Sequence, residues 1–489
     1  MAPAKARELI RPTRGLAASL DLVALSHALS ARERAHVRGA LVGLLRFHRT
    51  LARWPTIDRV PAATPIVACY ARGALQGCAL ERGDLRGAER LARAFLAATA
   101  SVRGELAVEV FYPHRLRWLD DPDTLEIGTE GVALVRRDAG PVLLMPQVAR
   151  DHGVDGRGML ALLADKARLA DDVDLSTHVP AGGWLAAWTV DAVATRLDDT
   201  EAASARAAAR SGARDVDYAA AWLARMVDAR GAVAFAIDAR TRVLQPDGEL
   251  GYARSAIAIE ALAAHGGHAR TVARARRWLG REIGRAMHGE RVAGWPDDRP
   301  SVAGTLALAC LAGVPAHDRL RALVADGRWR DLAASPAWPW HAGQVAAALG
   351  RETPHELWTW CVDSLARQSF APYVALAARS RGDDAAHRRA TAAVATFIRR
   401  SPPHVGGASA TALPETALTA VAVQALAGAR EYRAARAAAL AFVRARQLLP
   451  DHVPAALDPA LALGGFTASP IDDVLRADIT GHALLALLA

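Results

Sequence analysis

Polar side chains begin several apolar helical segments in the C-terminal part of the chain, and these positions could carry chemistry. Carboxylates can act there as general acid and base, and histidine can transfer protons near neutral pH. The candidate catalytic residues are Asp297, Asp298, Glu415, Asp478 and His482. Aromatic rings could stack on sugar faces, and arginine could hold a carboxylate or phosphate through paired hydrogen bonds. The candidate substrate-binding residues are Tyr252, Arg254, Trp340, His341 and Arg476.

The same residues also have structural explanations. Asp297 and Asp298 in "GWPDDRPS", and Glu415 after a proline, are helix-start signals because acidic residues there interact favourably with the helix dipole. Tryptophans such as Trp340 can pack between helical hairpins instead of contacting sugar. The two histidines of "HGGHAR" lack a neighbouring carboxylate or thiolate, so this loop predicts no metal site.

Apolar helical segments must position these residues. From Trp184 to Ala489, about a dozen such segments alternate with Gly/Pro/Asp loops and recur at about 50 residues per pair, which indicates stacked helical hairpins. The hairpins could form an open solenoid or a closed ring. We expect a ring, because the C-terminal segment "DITGHALLALLA" is apolar and no polar capping repeat follows to shield it. In a ring, the ends of the inner helices line a central cavity.

The N-terminal part has a mixed α+β pattern. Helical periodicity extends from Leu16 to about Trp54, and Ser30 with Glu33 forms an N-cap signal inside it. The strand-like runs "IVACYA", "ELAVEVFYP" and "GVALVRRDAGPVLLMP" follow, the last with a tight turn at 138–140. Further helices are predicted near 85–100 and 158–169.

Composition excludes several function classes. The net charge of +9 arises from 60 basic and 51 acidic residues that are interspersed, so a nucleic-acid partner is not indicated. Four cysteines are spread without a CxxC pair, which fits reduced thiols. Because no apolar run reaches the length of about 18 residues needed for a span, we expect a cytoplasmic protein without a membrane partner. No P-loop, dinucleotide fingerprint or GxSxG elbow occurs, so no cofactor is predicted.

The stretch "LQGCAL" at 75–80 resembles the Leu-Arg-Gly-Cys-Ile-Gly motif of the AMMECR-type domain family, with Gln76 in place of the arginine, Gly77 and Cys78 retained, and Ala-Leu in place of Ile-Gly. Downstream, "EVFYP" is similar to the family's Ser-Val-Leu-x-Pro strand end, with Glu109 at the serine position. The stretches "GTEGV" and "MPQVARDHGVDGRGMLALLADKARL" resemble two later family segments.

The resemblance implies an α+β fold, with no settled activity, over residues 1–175, including a helical N-terminal lead. It also implies Memo-like or radical-SAM proteins as possible partners in a modification pathway. Within the motif, Cys78 could be a nucleophile, although a cysteine after glycine is more often a small buried hydrophobe. Glu109 could be an acid or base, although strand alternation could equally point it into solvent.

The second half is similar to six-hairpin α/α toroids related to sugar-active enzymes. Their Gly…Phe loop followed by Tyr-x-x-x-Arg-His-Ala is matched approximately by Phe235, Tyr252 and Arg254, with a serine at the histidine position. "GGFTASPIDDVLRADITGHALLALLA" resembles the closing hairpin and retains Arg476, Asp478 and His482. The resemblance implies an α/α toroid of helical hairpins over residues 182–489.

Two functions follow as hypotheses. The first is a multidomain protein in which an AMMECR-type domain is joined to a toroid that binds a polar small molecule or carbohydrate, serving as an accessory module. The second is an enzyme whose toroid cavity processes a carbohydrate or similar polar substrate. A coherent catalytic pair in one cavity would distinguish them.

Overall fold

A computed structural model describes residues 28–50, 60–61, 63–80, 87–100, 102, 106–136, 141–170, 173–180, 183–196, 214–241, 243–245, 251–365, 370–409, 413–450 and 453–489. The turn predicted at 138–140 and the helical periodicity predicted before residue 28 lie outside these residues. The chain divides into two compact units. The first comprises residues up to Ser204 with Asp451–Pro459, and the second comprises Ala205–Pro450 with Ala460–Ala489.

The first unit contains a curled, antiparallel six-stranded sheet of order β2-β1-β3-β6-β4-β5. Its strands are β1 (Ile66–Ala71), β2 (Ala74–Leu80), β3 (Ala107–Trp118), β4 (Glu130–Arg136), β5 (Val142–Leu144) and β6 (Gly183–Arg196). Its helices are α1 (Ala31–Thr50), α2 (Gly87–Thr99), α3 (Gln147–His152) and α4 (Gly156–Lys166). The α+β character predicted for this part of the chain is confirmed.

The helices of this unit begin and pack as their sequences dictate. The Ser30 backbone N–H donates to Oε2 of Glu33 at 2.8 Å and the Glu33 N–H donates to Oγ of Ser30 at 3.3 Å, which confirms the predicted N-cap of α1. Leu44 of α1 and Phe95 of α2 are fully buried with Val108 and other residues of one sheet face. The opposite face buries a second cluster that includes Ala68, Phe111 and Trp188.

Strand β6 is the main difference from the predicted elements. The sequence predicted helical hairpins from Trp184 onwards, but "GWLAAWTVDAVATR" forms a strand between β3 and β4. Ala186, Ala187 and Trp188 are consecutive and all buried, so the strand is covered on both faces and lacks the alternation of a half-exposed strand. The strand is also rich in alanine, which is common in helices, so its sequence resembles that of a helix.

The second unit is mainly helical, which confirms that prediction. Its helices are α5 (Asp215–Arg225), α6 (Gly251–His265), α7 (Ala269–Met287), α8 (Arg299–Leu311), α9 (His317–Val324), α10 (Trp329–Ala333), α11 (Trp338–Leu349), α12 (His355–Trp360), α13 (Ala371–Arg381), α14 (Asp384–Phe397), α15 (Thr416–Ala425), α16 (Arg433–Arg444), α17 (Pro459–Ala462) and α18 (Ala477–Leu488). A small antiparallel sheet of order β8-β7-β10-β9 joins β7 (Ala236–Asp238), β8 (Val243–Gln245), β9 (Thr467–Ser469) and β10 (Asp472–Arg476).

Six of these helices contact one another in a series that returns to its start. The order of contact is α6, α8, α11, α13, α15, α18 and again α6, and we call these the ring helices. Gly481 of α18 lies so close to α6 that a Cβ there would stand 2.9 Å from Cγ2 of Ile257, so this closing contact depends on glycine.

The ring helices are buried around most of their circumference, whereas the helices that alternate with them along the chain bury one face. In α8, all residues from Ala303 to Ala309 are buried. In α7, buried residues recur at three- and four-residue spacing, at Val272, Ala275, Leu279 and Ile283. A helix that is apolar all round belongs inside a protein, and an amphipathic helix covers it.

Candidate functional site

A cavity lies between the ring helices, and all six of them contribute to its lining. The space inside it that is open to the centres of water-sized molecules is about 50 Å³, which is enough for a few water-sized groups. Much of the wall is apolar, as at Leu308, Leu376 and Leu485. The polar side chains that line it are Glu260, Gln344, Tyr373, Gln424 and His482.

Glu260 is a carboxyl group in an apolar helix. It lies on α6 within "AIAIEALAA", where its neighbours offer no polar atoms except the backbone. No described residue pairs with it or donates a hydrogen bond to it. Because burial disfavours the charged form, the pKa of Glu260 is raised from 4.5 to about 7. This side chain therefore gains or loses a proton near neutral pH.

His482 of α18 is a second polar residue that lines the cavity. Its Nδ1 atom is buried and forms no hydrogen bond with any described residue. The pKa of His482 is lowered to about 4, mainly by burial; the charge of Asp478 opposes this shift and the charge of Arg476 adds to it. The imidazole is consequently neutral at physiological pH, and one of its ring nitrogens can accept a hydrogen bond.

Tyr373 lines the cavity and is affected by the charges of two of the predicted catalytic carboxylates. The pKa of Tyr373 is raised to about 12, mostly by burial and in part by the charges of Asp478 and Glu415. Those carboxylates therefore lie within electrostatic range of the phenol. The predicted catalytic set was Asp297, Asp298, Glu415, Asp478 and His482; of these, His482 lines the cavity, and Asp478 and Glu415 act on Tyr373 through their charges.

The two glutamine side chains of the lining already use part of their hydrogen-bonding capacity. Nε2 of Gln424 donates to the backbone oxygens of Ala420 at 3.4 Å and His482 at 3.2 Å. Oε1 of Gln344 lies 3.3 Å from Nδ1 of His341. Both amide groups are thereby fixed in orientation.

Asp478 lies in a compact cluster at the start of α18. Arg476 binds it with two hydrogen bonds, Nε to Oδ1 at 3.1 Å and Nη2 to Oδ2 at 2.6 Å. Nε of Arg254 is 3.8 Å from Oδ2 of Asp478. Both guanidinium groups also stack on the Phe235 ring, at 4.1 Å for Arg254 and 5.3 Å for Arg476. The arginines predicted to clamp a substrate are therefore engaged with Asp478.

Three of the predicted catalytic carboxylates are not among the residues that line the cavity. Asp298 caps α8 by accepting a hydrogen bond from the Ser301 N–H at 2.9 Å, although its charge also acts on His341. Asp297 is exposed beside it. Glu415 is exposed at the start of α15.

The remaining predicted binding residues have packing roles in the structure. Tyr252 stacks on Trp278 with ring centroids 5.5 Å apart and donates to the Ala293 oxygen at 3.1 Å. Trp340 is 47% exposed and meets Phe370 edge-on. His341 is buried, and burial lowers its pKa. Whether these residues contact substrate stays a prediction.

Sequence reasoning missed Glu260 and Tyr373. The available signal was a single carboxylate within the apolar run "AIAIEALAA", which is costly to bury unless paired. Tyr373 follows Pro372 at the start of α13, where no spacing pattern distinguishes it.

In the first unit, three motif residues occupy the edge strand β2. Cys78 pairs with Ala68 of β1, which pairs with Glu109 of β3, so Cys78 and Glu109 share one face of the sheet. Gly77 is required by packing, because a Cβ there would stand 2.2 Å from the Ala98 carbonyl oxygen of α2. Gln76 is exposed, and its Nε2 donates to the Ala74 oxygen at 3.3 Å.

The structure does not agree with the non-catalytic roles suggested for Glu109 and Cys78, namely a solvent-facing glutamate and a buried cysteine. The alternative that Glu109 points into solvent is wrong, because it is buried and accepts a hydrogen bond from the Ala455 N–H at 3.3 Å. Cys78 is exposed on β2. Protein atoms crowding its sulfur raise the thiol pKa and Lys166 lowers it only in part, which disfavours the nucleophilic thiolate.

Comparisons with known proteins add little to this geometry. No family model matches the chain, and no curated protein matches it. Among solved structures, the uncharacterized protein PH0010 from Pyrococcus horikoshii is similar over 33% of this chain and 90% of its own, at 18% identity and a TM-score of 0.28. No described helix is long and apolar enough to cross a bilayer. Within the described ranges, no group of three or more His, Cys, Asp or Glu could hold a metal ion.

Proposed function

We propose that the second unit is an α/α toroid of helical hairpins whose central cavity binds a small polar ligand. The observation that carries this proposal is the cavity itself, which is lined by all six ring helices and contains Glu260 and the Nδ1 atom of His482, neither of which has a partner among the described residues. The cyclic order of helix contacts and the alternation of ring helices with amphipathic helices support the toroid.

A ligand could form hydrogen bonds with the polar groups that line the cavity. A buried polar group without a hydrogen bond costs about 1–3 kcal/mol. A molecule that bonded the buried Nδ1 of His482 would recover this cost, and it could also bond the partly buried Glu260 while its apolar part contacted Leu308 and Leu376. Polar groups converging on an apolar cavity are typical of binding sites.

For the first unit, we propose an AMMECR-type domain. The quoted motif residues lie on adjacent strands of an α+β unit, with Cys78 and Glu109 in one row across β1, which supports the proposal. A Memo-like or radical-SAM partner stays a prediction.

The binding proposal is tested by filling the cavity. Ala347→Met places a longer side chain in the lining, and Ala392→Met makes the same change at an exposed position of α14. Ligand-observed NMR with the full chain and a panel of small amines, polyols and carboxylates measures binding. We expect compounds that bind the wild type and Ala392→Met but not Ala347→Met. The proposal fails if no compound distinguishes the two variants.

One observation favours the alternative, an enzyme acting on a carbohydrate or similar polar substrate. A carboxyl group whose pKa is about 7 can donate and accept protons at neutral pH, as a general acid or base must, and Glu260 fulfils this condition. The enzyme hypothesis predicts that a compound bound in the cavity is converted by the wild type and not by Glu260→Gln. Chromatography of the mixture after incubation would detect the product, and an unchanged compound would contradict it.

A further inference from the structure

We propose that the cavity selects a small organic cation, an alkylammonium whose charged nitrogen pairs with Glu260 and whose alkyl part contacts the leucine walls. This inference rests on the proposed function, since it names the class of ligand that the same cavity takes.

Charge is the first argument. Among the lining residues that the structure describes, Glu260 is a carboxyl group and none is lysine or arginine. His482 is neutral at physiological pH and supplies no compensating charge. The nearby Arg254 and Arg476 are already held by Asp478. A buried carboxylate is costly unless it is paired, so an entering cation would stabilise the ionised form of Glu260.

Hydrogen-bonding capacity is the second argument. An alkylammonium carries three N–H donors and no acceptor. The lining offers acceptors to match them: the Glu260 carboxylate, one ring nitrogen of the neutral His482 and the phenol oxygen of Tyr373. The amide N–H groups of Gln424, which would serve an anionic or carbonyl-bearing ligand, are directed to backbone oxygens.

The surroundings of the cavity act in the same direction. Glu415 places negative charge within range of Tyr373, which would oppose an anionic ligand at that end, whereas the charge of Asp478 is balanced by Arg254 and Arg476. Leu308, Leu376 and Leu485 leave part of the wall without polar atoms, as an alkyl chain requires. A polyol has hydroxyl groups on every carbon and would leave several of them unpaired there.

Three probes of equal length test the inference. The n-butylammonium ion, n-butanol and butyrate differ mainly in charge, and erythritol represents polyols. Isothermal titration calorimetry of the full chain at pH 8 measures their affinities. We expect n-butylammonium to bind at least about ten-fold more tightly than the other probes, since a charge-assisted hydrogen bond contributes about 1.5–3 kcal/mol.

Two substitutions at one position identify the interaction. Glu260→Gln should weaken n-butylammonium at least about ten-fold and leave n-butanol nearly unchanged, whereas Glu260→Asp, which keeps the charge, should retain the preference for the cation. Far-UV circular dichroism establishes that both variants are folded. The exposed Glu356→Gln serves as the matched control.

The outcomes separate the two proposals. If n-butanol, butyrate or erythritol binds as tightly as n-butylammonium, or if Glu260→Gln leaves cation binding intact, the cation inference is wrong and the binding proposal stands. If no probe or panel compound shows binding that Ala347→Met abolishes, both are wrong.

Discussion

Replacing Glu260 with glutamine should stabilise the protein at alkaline pH and leave it nearly unchanged at acidic pH. Glutamine has the shape of the protonated carboxyl group and never ionises. Glu260 has no described partner that the substitution would remove. The change therefore isolates the cost of burying a negative charge between the ring helices.

The magnitude follows from the pKa in the two states. The pKa of Glu260 is about 7 in the folded protein and 4.5 in an unperturbed glutamate, so the folded state retains a proton that the unfolded chain has lost between these values. The contribution of Glu260 to stability is complete below pH 4.5 and is lost as pH rises through 7. From pH 5 to pH 8 this loss amounts to about 2.5 kcal/mol, at 1.36 kcal/mol per pKa unit.

Urea unfolding at pH 5 and pH 8, followed by far-UV circular dichroism, measures the effect in the full chain. The difference in unfolding free energy between Glu260→Gln and wild type should increase by about 2–3 kcal/mol from the lower to the higher pH. Other titrating groups cancel in this difference. Glu356, whose side chain is 63% exposed, provides the control, and its glutamine variant should follow the wild-type profile.

Parallel pH profiles for Glu260→Gln and wild type would refute this reasoning. They would mean that Glu260 ionises as easily in the folded chain as in water, and hence that it does not lie in an apolar cavity. The cation inference would lose its first argument at the same time.

Three further changes test other parts of the structure. Gly77→Ala should lower stability by about 1–3 kcal/mol because its Cβ would overlap the α2 carbonyl oxygen, and thermal unfolding measures this. Glu109→Ala should cost about 1–3 kcal/mol by removing the buried hydrogen bond that the Ala455 N–H donates to its carboxylate, as measured by urea unfolding. The wild type should lose about 2 kcal/mol of unfolding free energy as pH falls from 7 to 5, because His482 binds a proton at a pKa of 6.5 in the unfolded chain and only near 4 in the folded protein. His482→Leu should abolish this loss.

Each of these has a control in the same chain. Gly39→Ala, in α1 with open space around its Cα, should be neutral or stabilising. Glu89→Ala removes only an exposed pair with Arg93 and should have little effect. His355 is exposed, so His355→Leu should keep the wild-type pH dependence. A variant that behaves as its control contradicts the packing, burial or titration argued for that residue.

Local signals along the chain predicted much of the secondary structure. The Ser30 and Glu33 cap and the helices at Gly87–Thr99 and Gly156–Lys166 follow from periodicity and capping, which depend on neighbouring residues only. Strand β6 was missed because burial on both faces removes the two-residue alternation by which strands are recognised.

The site was less accessible to sequence reasoning. Among the predicted catalytic residues, His482 lines the cavity, but spacing alone could not show that Arg476 and Arg254 engage Asp478. Glu260 lies in the middle of a helix, and its importance arises from five other helices that meet around it. Such convergence depends on contacts between distant segments, which no local pattern contains.

The short segment 453–459 has a consequence for the order in which the chain can mature. It belongs to the first unit, where Ala455 and Ala456 join an apolar cluster of the sheet and the Ala455 N–H binds Glu109, yet almost the entire second unit precedes it in sequence. During synthesis, the ribosome must therefore translate about 250 residues after Ser204 before the first unit can be completed. A fragment ending at Ser204 would expose that apolar face and leave a buried carboxylate short of a donor, so it should aggregate rather than fold independently.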